Sequence, residues 1–181
     1  KSRLKEFDIL GSKGFVIFDF SPFLNLKVKA TIQSELAFCI STANSSAISS
    51  LYFQKSLENV DLKTISIKKI EEFLKAAGVR FYTKKALYIK ETINNFDNID
   101  KILKMEDKKA RDKLVKTVKG FGYKEASHFL RNVGKKDVTI IDRHILKWLY
   151  ENRLIDEIPK SLNQKKYKKI EKIVEDLSSE K

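Results

Sequence analysis

Apolar residues recur along this chain with the period of a helix, and almost nothing interrupts them. From Thr31 onward, Ile32, Leu36 and Ile40 share one face, then Ile70, Phe73, Leu74 and Ala77, then Tyr82, Ala86, Ile89 and Ile93. Further stripes follow: Ala110, Leu114 and Val118; Tyr123, Ala126, Leu130 and Val133; Ile141, Ile145, Trp148 and Leu149; and Tyr167, Ile170, Val174 and Leu177. Only two prolines and six glycines occur in 181 residues. Proline and glycine break helix interiors, so the glycines read as punctuation. Gly78, Gly120 and Gly134 close helices, and Pro159 belongs to a turn. The expected fold class is predominantly all-α, with helices of about three turns.

The first thirty residues read differently. An aromatic run from Phe15 to Phe20 precedes Ser21-Pro22, and Leu24, Leu26 and Val28 alternate with polar neighbours, the period of a half-buried strand. A short N-terminal β-hairpin is expected there. The expected domain grouping is residues 34–134, a helical domain carrying a helix-hairpin-helix at 113–134, against 1–33 plus 135–181 as a second helical subdomain, the two flanking a cleft.

The hydrophobic content of 42% supports a packed core, and the net charge of +13 points to an acidic partner. Nucleic acid is the expected one, although a lysine-rich surface also serves solubility or heat resistance. Cys39 is the only cysteine and sits in an apolar run, which excludes an internal disulfide or a four-thiolate iron–sulfur cluster. The two histidines lack zinc-ligand spacing. No metal and no cofactor is expected. No apolar run is long enough to span a membrane, and no signal peptide is visible. A monomer in the cytoplasm or nucleoid is the expectation.

Chemistry concentrates at Val118-Lys119-Gly120-Phe121-Gly122-Tyr123-Lys124. Two amphipathic helices meet through Gly-x-Gly, and the amides opening the second helix suit an anion such as a DNA phosphate. Glycines used only as caps would give the same pattern. Lys124 falls on the first turn of that helix. To act as a nucleophile it must be neutral, which burial and nearby positive charge favour. It is also one of 31 lysines, and spacing does not single it out. Asp142 follows the apolar run from Val138 to Ile141. It fits a capping pattern, Thr139-x-x-Asp142, and equally a carboxylate kept ionised by a helix dipole to steady a developing sugar cation. Arg143 and His144 read as phosphate contacts or as plain surface.

Together these blocks carry a resemblance. Gly120-Phe-Gly-Tyr-Lys-Glu-Ala-Ser-His-Phe-Leu-Arg-Asn-Val-Gly134, followed by Ile140-Ile-Asp-Arg-His-Ile-Leu146, resembles the helix-hairpin-helix DNA glycosylases, and most closely the archaeal-type 8-oxoguanine DNA glycosylase/lyases. Phe38-Cys-Ile-Ser-Thr-Ala-Asn44, Arg80-Phe-Tyr82, Lys85-Ala86, Tyr88-Ile89 and Asp156-Glu-Ile-Pro-Lys160 support it, over about residues 33–177. The resemblance implies that Lys124 is a Schiff-base nucleophile and Asp142 the catalytic carboxylate. It implies that Gly120 and Gly122 line a phosphate hairpin and that Asn44 enters the space left by a flipped base. His128 falls to the lesion pocket or to packing. The implied partner is double-stranded DNA containing a damaged base, and the implied chemistry is base excision followed by β-elimination. Two other readings stay open: the same chemistry on an oxidised pyrimidine, and a non-catalytic DNA-binding module. Residues 1–30 depart from the helical start usual in the family. The family also usually continues into an aromatic tail ending in a lysine that helps recognise the lesion. The sequence here stops at Lys181, and that role is not carried over to it.

Overall fold

The computed structural model describes residues 2–179. Among them are eleven helices and a two-stranded antiparallel sheet. By contacts the chain falls into two units, one running to Val138 and the other from Thr139 onward. The helix-hairpin-helix, the sheet and the large core belong to the first.

The first unit begins with α1 (Ser2–Lys13), a helix where the sequence reading saw no helical period. Its Phe7 and Leu10 are buried, and Phe7 meets Phe18 edge to face at 5.7 Å. The expected hairpin is present: β1 (Phe15–Asp19) pairs with β2 (Lys27–Thr31) in the register Val16 to Ala30 and Phe18 to Val28. Those four side chains face the core and their neighbours face water, the period-2 pattern of a one-sided sheet. One boundary differs from the sequence reading. Leu24 ends the short α2 (Ser21–Leu24), which Pro22 helps start, so the strand begins at Lys27.

Next comes α3 (Ile32–Thr42), opened by Thr31, whose hydroxyl accepts from Ser34 N–H while Ser34 Oγ accepts from Thr31 N–H. It is buried nearly all round and forms the axis of the unit. Around it lie α4 (Ala47–Ser56), α5 (Ile67–Ala76), α6 (Tyr82–Asn94), α7 (Phe96–Leu103), α8 (Asp107–Thr117) and α9 (Tyr123–Asn132). In contact terms residues 1–33 pack with this body, through α1 on α9 and β2 on α3 and α4, whereas the sequence grouping placed them with 135–181.

The second unit holds α10 (Arg143–Glu151) and α11 (Gln164–Ser179). Leu146, Leu149, Tyr167 and Ile170 are buried, but Trp148, read as part of the apolar stripe, is half exposed. Among the described residues no helix is long and apolar enough to cross a membrane.

Gly11 marks the tightest approach in the first unit. A Cβ built there lies 2.2 Å from the carbonyl oxygen of Val133, at the end of α9. Alanine is the better helix former by about 1 kcal/mol, yet Gly11→Ala should destabilise the protein by about 2 kcal/mol or more, because backbone must move. Urea unfolding measures it; a variant as stable as the parent would show that α1 does not pack at this distance.

Candidate active site and its hairpin

The hairpin is built by α8, residues 118–122 and α9. Val118 N–H still donates to Leu114, and Phe121 N–H returns to Val118 at 3.2 Å, so the chain reverses within one turn. Gly120 sits at φ +87°, a conformation that disfavours a side chain, and a Cβ there would meet the Tyr88 ring at 3.0 Å. The ring of Phe121 packs at 6.1 Å from that of Phe129 on the next helix. Tyr123 donates its hydroxyl hydrogen to Asp112, and its ring lies 5.3 Å from the buried Arg111 guanidinium. These contacts fix where α9 starts.

The amides are less bare than the sequence suggested. Gly122 N–H donates to Glu125 Oε2 at 3.1 Å, the backward half of a capping box. An incoming anion therefore meets the first-turn amides of α9, which have no carbonyl four residues back within the helix. Lys124 is on that first turn, half-buried, with its Nζ 4.0 Å from Glu125 Oε1.

One turn further on, His128 stands half-buried against Phe38, ring centroids 5.8 Å apart and nearly perpendicular. Its pKa falls to about 4, first through burial and then through the positive charges of Arg131 and Lys124. Phe38 and His128 form part of the wall of a cavity of about 250 Å³, together with Phe7, Phe18, Gln54 and Asn132. Beneath it Glu35 is fully buried, and burial raises its pKa. The carboxylate accepts from Gln54 Nε2 at 2.7 Å and Asn132 Nδ2 at 2.5 Å.

Asn44, expected near the base stack, is exposed in the turn between α3 and α4 at φ +53°. The neighbouring Ser45 Oγ accepts from Arg80 N–H and from Lys85 Nζ, each at 2.9 Å. Lys85 also donates to the Ser41 carbonyl at 2.7 Å, and burial with the nearby Arg80 charge lowers its pKa to about 8. Lys85 and Asn132 entered the sequence reading only inside matching blocks, with no role given, and Glu35 and Gln54 not at all. A carboxylate immediately before the apolar run Leu36 to Ile40 was the signal available for Glu35.

Asp142, Arg143 and His144 belong to the second unit. Asp142 is the N-cap of α10, and its Oδ1 accepts from His144 N–H and Ile145 N–H, both at 2.9 Å. The cap is thus Asp142 itself and not Thr139, which corrects the capping pattern read from sequence. Thr139 is engaged elsewhere: its carbonyl accepts from the Tyr167 hydroxyl and its N–H donates to Glu171. That clamp to α11 presents Asp142 in extended backbone at the helix start. Arg143 and His144 are exposed beside it. Among the described residues no cluster of three or more His, Cys, Asp or Glu is placed to hold a metal.

A glycine hairpin between paired helices, a lysine on the first turn after it and an aspartate capping a later helix define a helix-hairpin-helix protein of the DNA-glycosylase type. Comparison with known proteins narrows this. The family model for 8-oxoguanine DNA glycosylase, in its helix-hairpin-helix form, matches residues 16–181. The chain is 51% identical over 148 residues to the 8-oxoguanine DNA glycosylase/AP lyase of Methanocaldococcus jannaschii, covering 81% of this chain and 70% of that protein. It is 40% identical to the Aquifex aeolicus protein of the same name, over 98% of this chain and 81% of that one. The M. jannaschii enzyme in complex with a 15mer DNA containing 8-oxoguanine superimposes with a TM-score of 0.81 at 43% identity, over 99% of this chain and 80% of that one. The chain belongs to the 8-oxoguanine DNA glycosylase family.

The depressed His128 gives a pH signature. Between pH 6.5 and about 4 the unfolded chain protonates this ring while the folded protein does not, so acid favours unfolding through that window. Going from pH 7 to pH 5 should cost the parent about 2 kcal/mol more stability than it costs His128→Phe, a difference read from urea midpoints. Identical losses in the two proteins would place His128 in contact with water.

Proposed function

We propose that this chain excises 8-oxoguanine from double-stranded DNA and then cuts the strand at the sugar left behind. The observation that carries the reading is Lys124, held half-buried on the first turn of α9 two residues beyond the glycine hairpin, in a member of this family. The basic surface finds DNA through counterion release. A phosphate settles at the hairpin against the first-turn amides of α9, with Gly120 and Gly122 letting the backbone come close, and Arg143 and His144 add contacts from the start of α10. Extruding the damaged nucleotide costs a few kcal/mol. Asn44 enters the space it leaves, and the base comes to lie beside His128.

Lys124, as the neutral amine, attacks C1′ of the sugar. The C1′–N9 bond breaks, its electron pair leaves with the base, and the base takes up a proton. The sugar ring opens to give the Schiff base. Loss of the C2′ proton then breaks the C3′–O bond and releases the 3′ phosphate. The Asp142 carboxylate, which caps the first-turn amides of α10, supports the positive charge that develops on the sugar. The reading calls on no metal or organic cofactor, and has the protein acting as a monomer in the cytoplasm or nucleoid.

Borohydride should trap a covalent adduct with a duplex containing 8-oxoguanine, and Lys124→Gln should give none; an adduct that survives this change refutes the assignment. Asp142→Asn should still bind DNA but release the base at least ~10²-fold more slowly, the scale of losing one electrostatic group. Affinity should also fall steeply and log-linearly with salt, as titration in fluorescence anisotropy will read; a flat response rules out the phosphate grip.

A further inference from the structure

Burying a lysine is costly unless its ammonium finds acceptors, and Lys85 is only 5% exposed. Its acceptors lie on either side of Asn44. Nζ donates to the Ser41 carbonyl at 2.7 Å and to Ser45 Oγ at 2.9 Å. The Ser41 carbonyl is among the last four of α3, which have no partner inside the helix, and a cation there also meets the negative end of the helix dipole. Ser45 Oγ accepts a second time, from Arg80 N–H at 2.9 Å, and Ser45 N–H donates to the Thr42 carbonyl at 3.1 Å. The turn is thus held on both flanks, while Asn44 itself is exposed at φ +53°. Asparagine tolerates that conformation better than most residues.

Three residues further along α6, and so on the same side of the helix, Tyr88 packs under the hairpin: a Cβ at Gly120 would lie 3.0 Å from its ring. One helix therefore braces two loops. One loop is the hairpin read above as the phosphate grip. The other carries the residue read as filling the space of the extruded nucleotide. Holding a nucleotide out of the stack needs both at a set spacing, because the backbone is gripped at one place and the gap is filled at another. A packed helix keeps such a spacing more closely than a loop does.

We propose that α6 sets the distance between the phosphate hairpin and the Asn44 turn, and that Lys85 is the positioning residue that holds Asn44 in register for the gap. The proposal rests on the glycosylase reading above and on the role given there to Asn44. Lys85 acts only through the turn and touches no DNA. Burial and the Arg80 charge lower its pKa to about 8, with the Glu125 carboxylate opposing them. Near neutral pH the ammonium that serves both acceptors is still the main form.

Lys85→Met keeps the apolar stem and removes the donors. Asn44→Gly keeps the left-handed backbone and removes the side chain. In single-turnover assays on duplex 8-oxoguanine each should excise at least ~10-fold more slowly than the parent, since a misplacement of about 1 Å can cost ~10²-fold. Fluorescence of 2-aminopurine placed beside the lesion should show the same loss of stack opening in both. The double variant should be slower than either single one by no more than about 2-fold, because both changes remove one function. Losses that multiply overturn the proposal, since Lys85 would then serve only the fold; so does parental excision by Lys85→Met. Ser45→Ala is the milder change should Lys85→Met not fold. It should slow excision in the parent and leave Asn44→Gly no slower, and equal slowing in both overturns the proposal. If Asn44→Gly excises at the parental rate, the gap-filling role falls and the assignment of Lys85 with it. If the parent protein traps on neither 8-oxoguanine nor abasic DNA, the glycosylase reading itself falls.

Discussion

Taking the Glu35 carboxylate out of water costs several kcal/mol unless donors replace its hydration, and three helices of the first unit are arranged around that requirement. Glu35 opens the central helix α3, Gln54 comes from α4 and Asn132 from the end of α9. Each oxygen of the carboxylate accepts an amide hydrogen, and the Arg131 charge lies close enough to oppose the upward push of burial on its pKa. A well-packed apolar replacement could match such a network in stability. What it could not match is orientation, because hydrogen bonds between planar groups set which way each amide turns. The helix carrying Lys124 and His128 is held in place partly by this polar cluster, and apolar packing supplies the rest.

Most elements with one clean apolar stripe were legible in the sequence, although α7, which buries Phe96, Ile99 and Ile102, was not read. Helices α5, α6, α9 and α11 appear where their stripes put them, and the Gly120 turn appears where a reversal demands positive φ. Helix α1 escaped because only Phe7 and Leu10 of its surface are deeply buried, too few to raise a period above the noise. Helix α4 escaped for a different reason: its buried face mixes Ser50 and Gln54 with Leu51 and Phe53, so polarity hides its direction. Asp142 could be read as a local cap, since capping is decided within four residues. The specific cap residue could not, because Thr139 is diverted by Tyr167, 28 positions away. The Glu35 cluster joins residues up to 97 positions apart, and no local pattern encodes that meeting.

The two residues that carry the proposed chemistry are held by different means. Lys124 owes its position to tertiary contacts that anchor the hairpin: Tyr88 under Gly120, Phe121 on Phe129, and Tyr123 on Asp112 and Arg111. Asp142 owes its position to the first turn of its own helix and to the clamp from α11. The hairpin also carries an anion of its own, since Glu125 already occupies the Gly122 amide. In the proposed grip a phosphate would be drawn there by the net charge of the protein and by Lys124, and would share the helix start with a carboxylate. This favours ligands that bring several contacts at once over simple ions.

The contact of Gly11 with the Val133 carbonyl sets how the cavity can open. Helices α1 and α9 meet backbone to backbone, with no side chain between them to act as a bearing. The wall that bears Phe7 therefore moves as one body with the helix that bears His128. Close-packed interiors shift between discrete arrangements and do not stretch, so a change in the cavity's shape falls to swings of individual aromatic rings. Such rotamer motions are far quicker than the hinge movements of whole domains, and the cavity is in effect lined by swinging side chains in a frame that stays rigid.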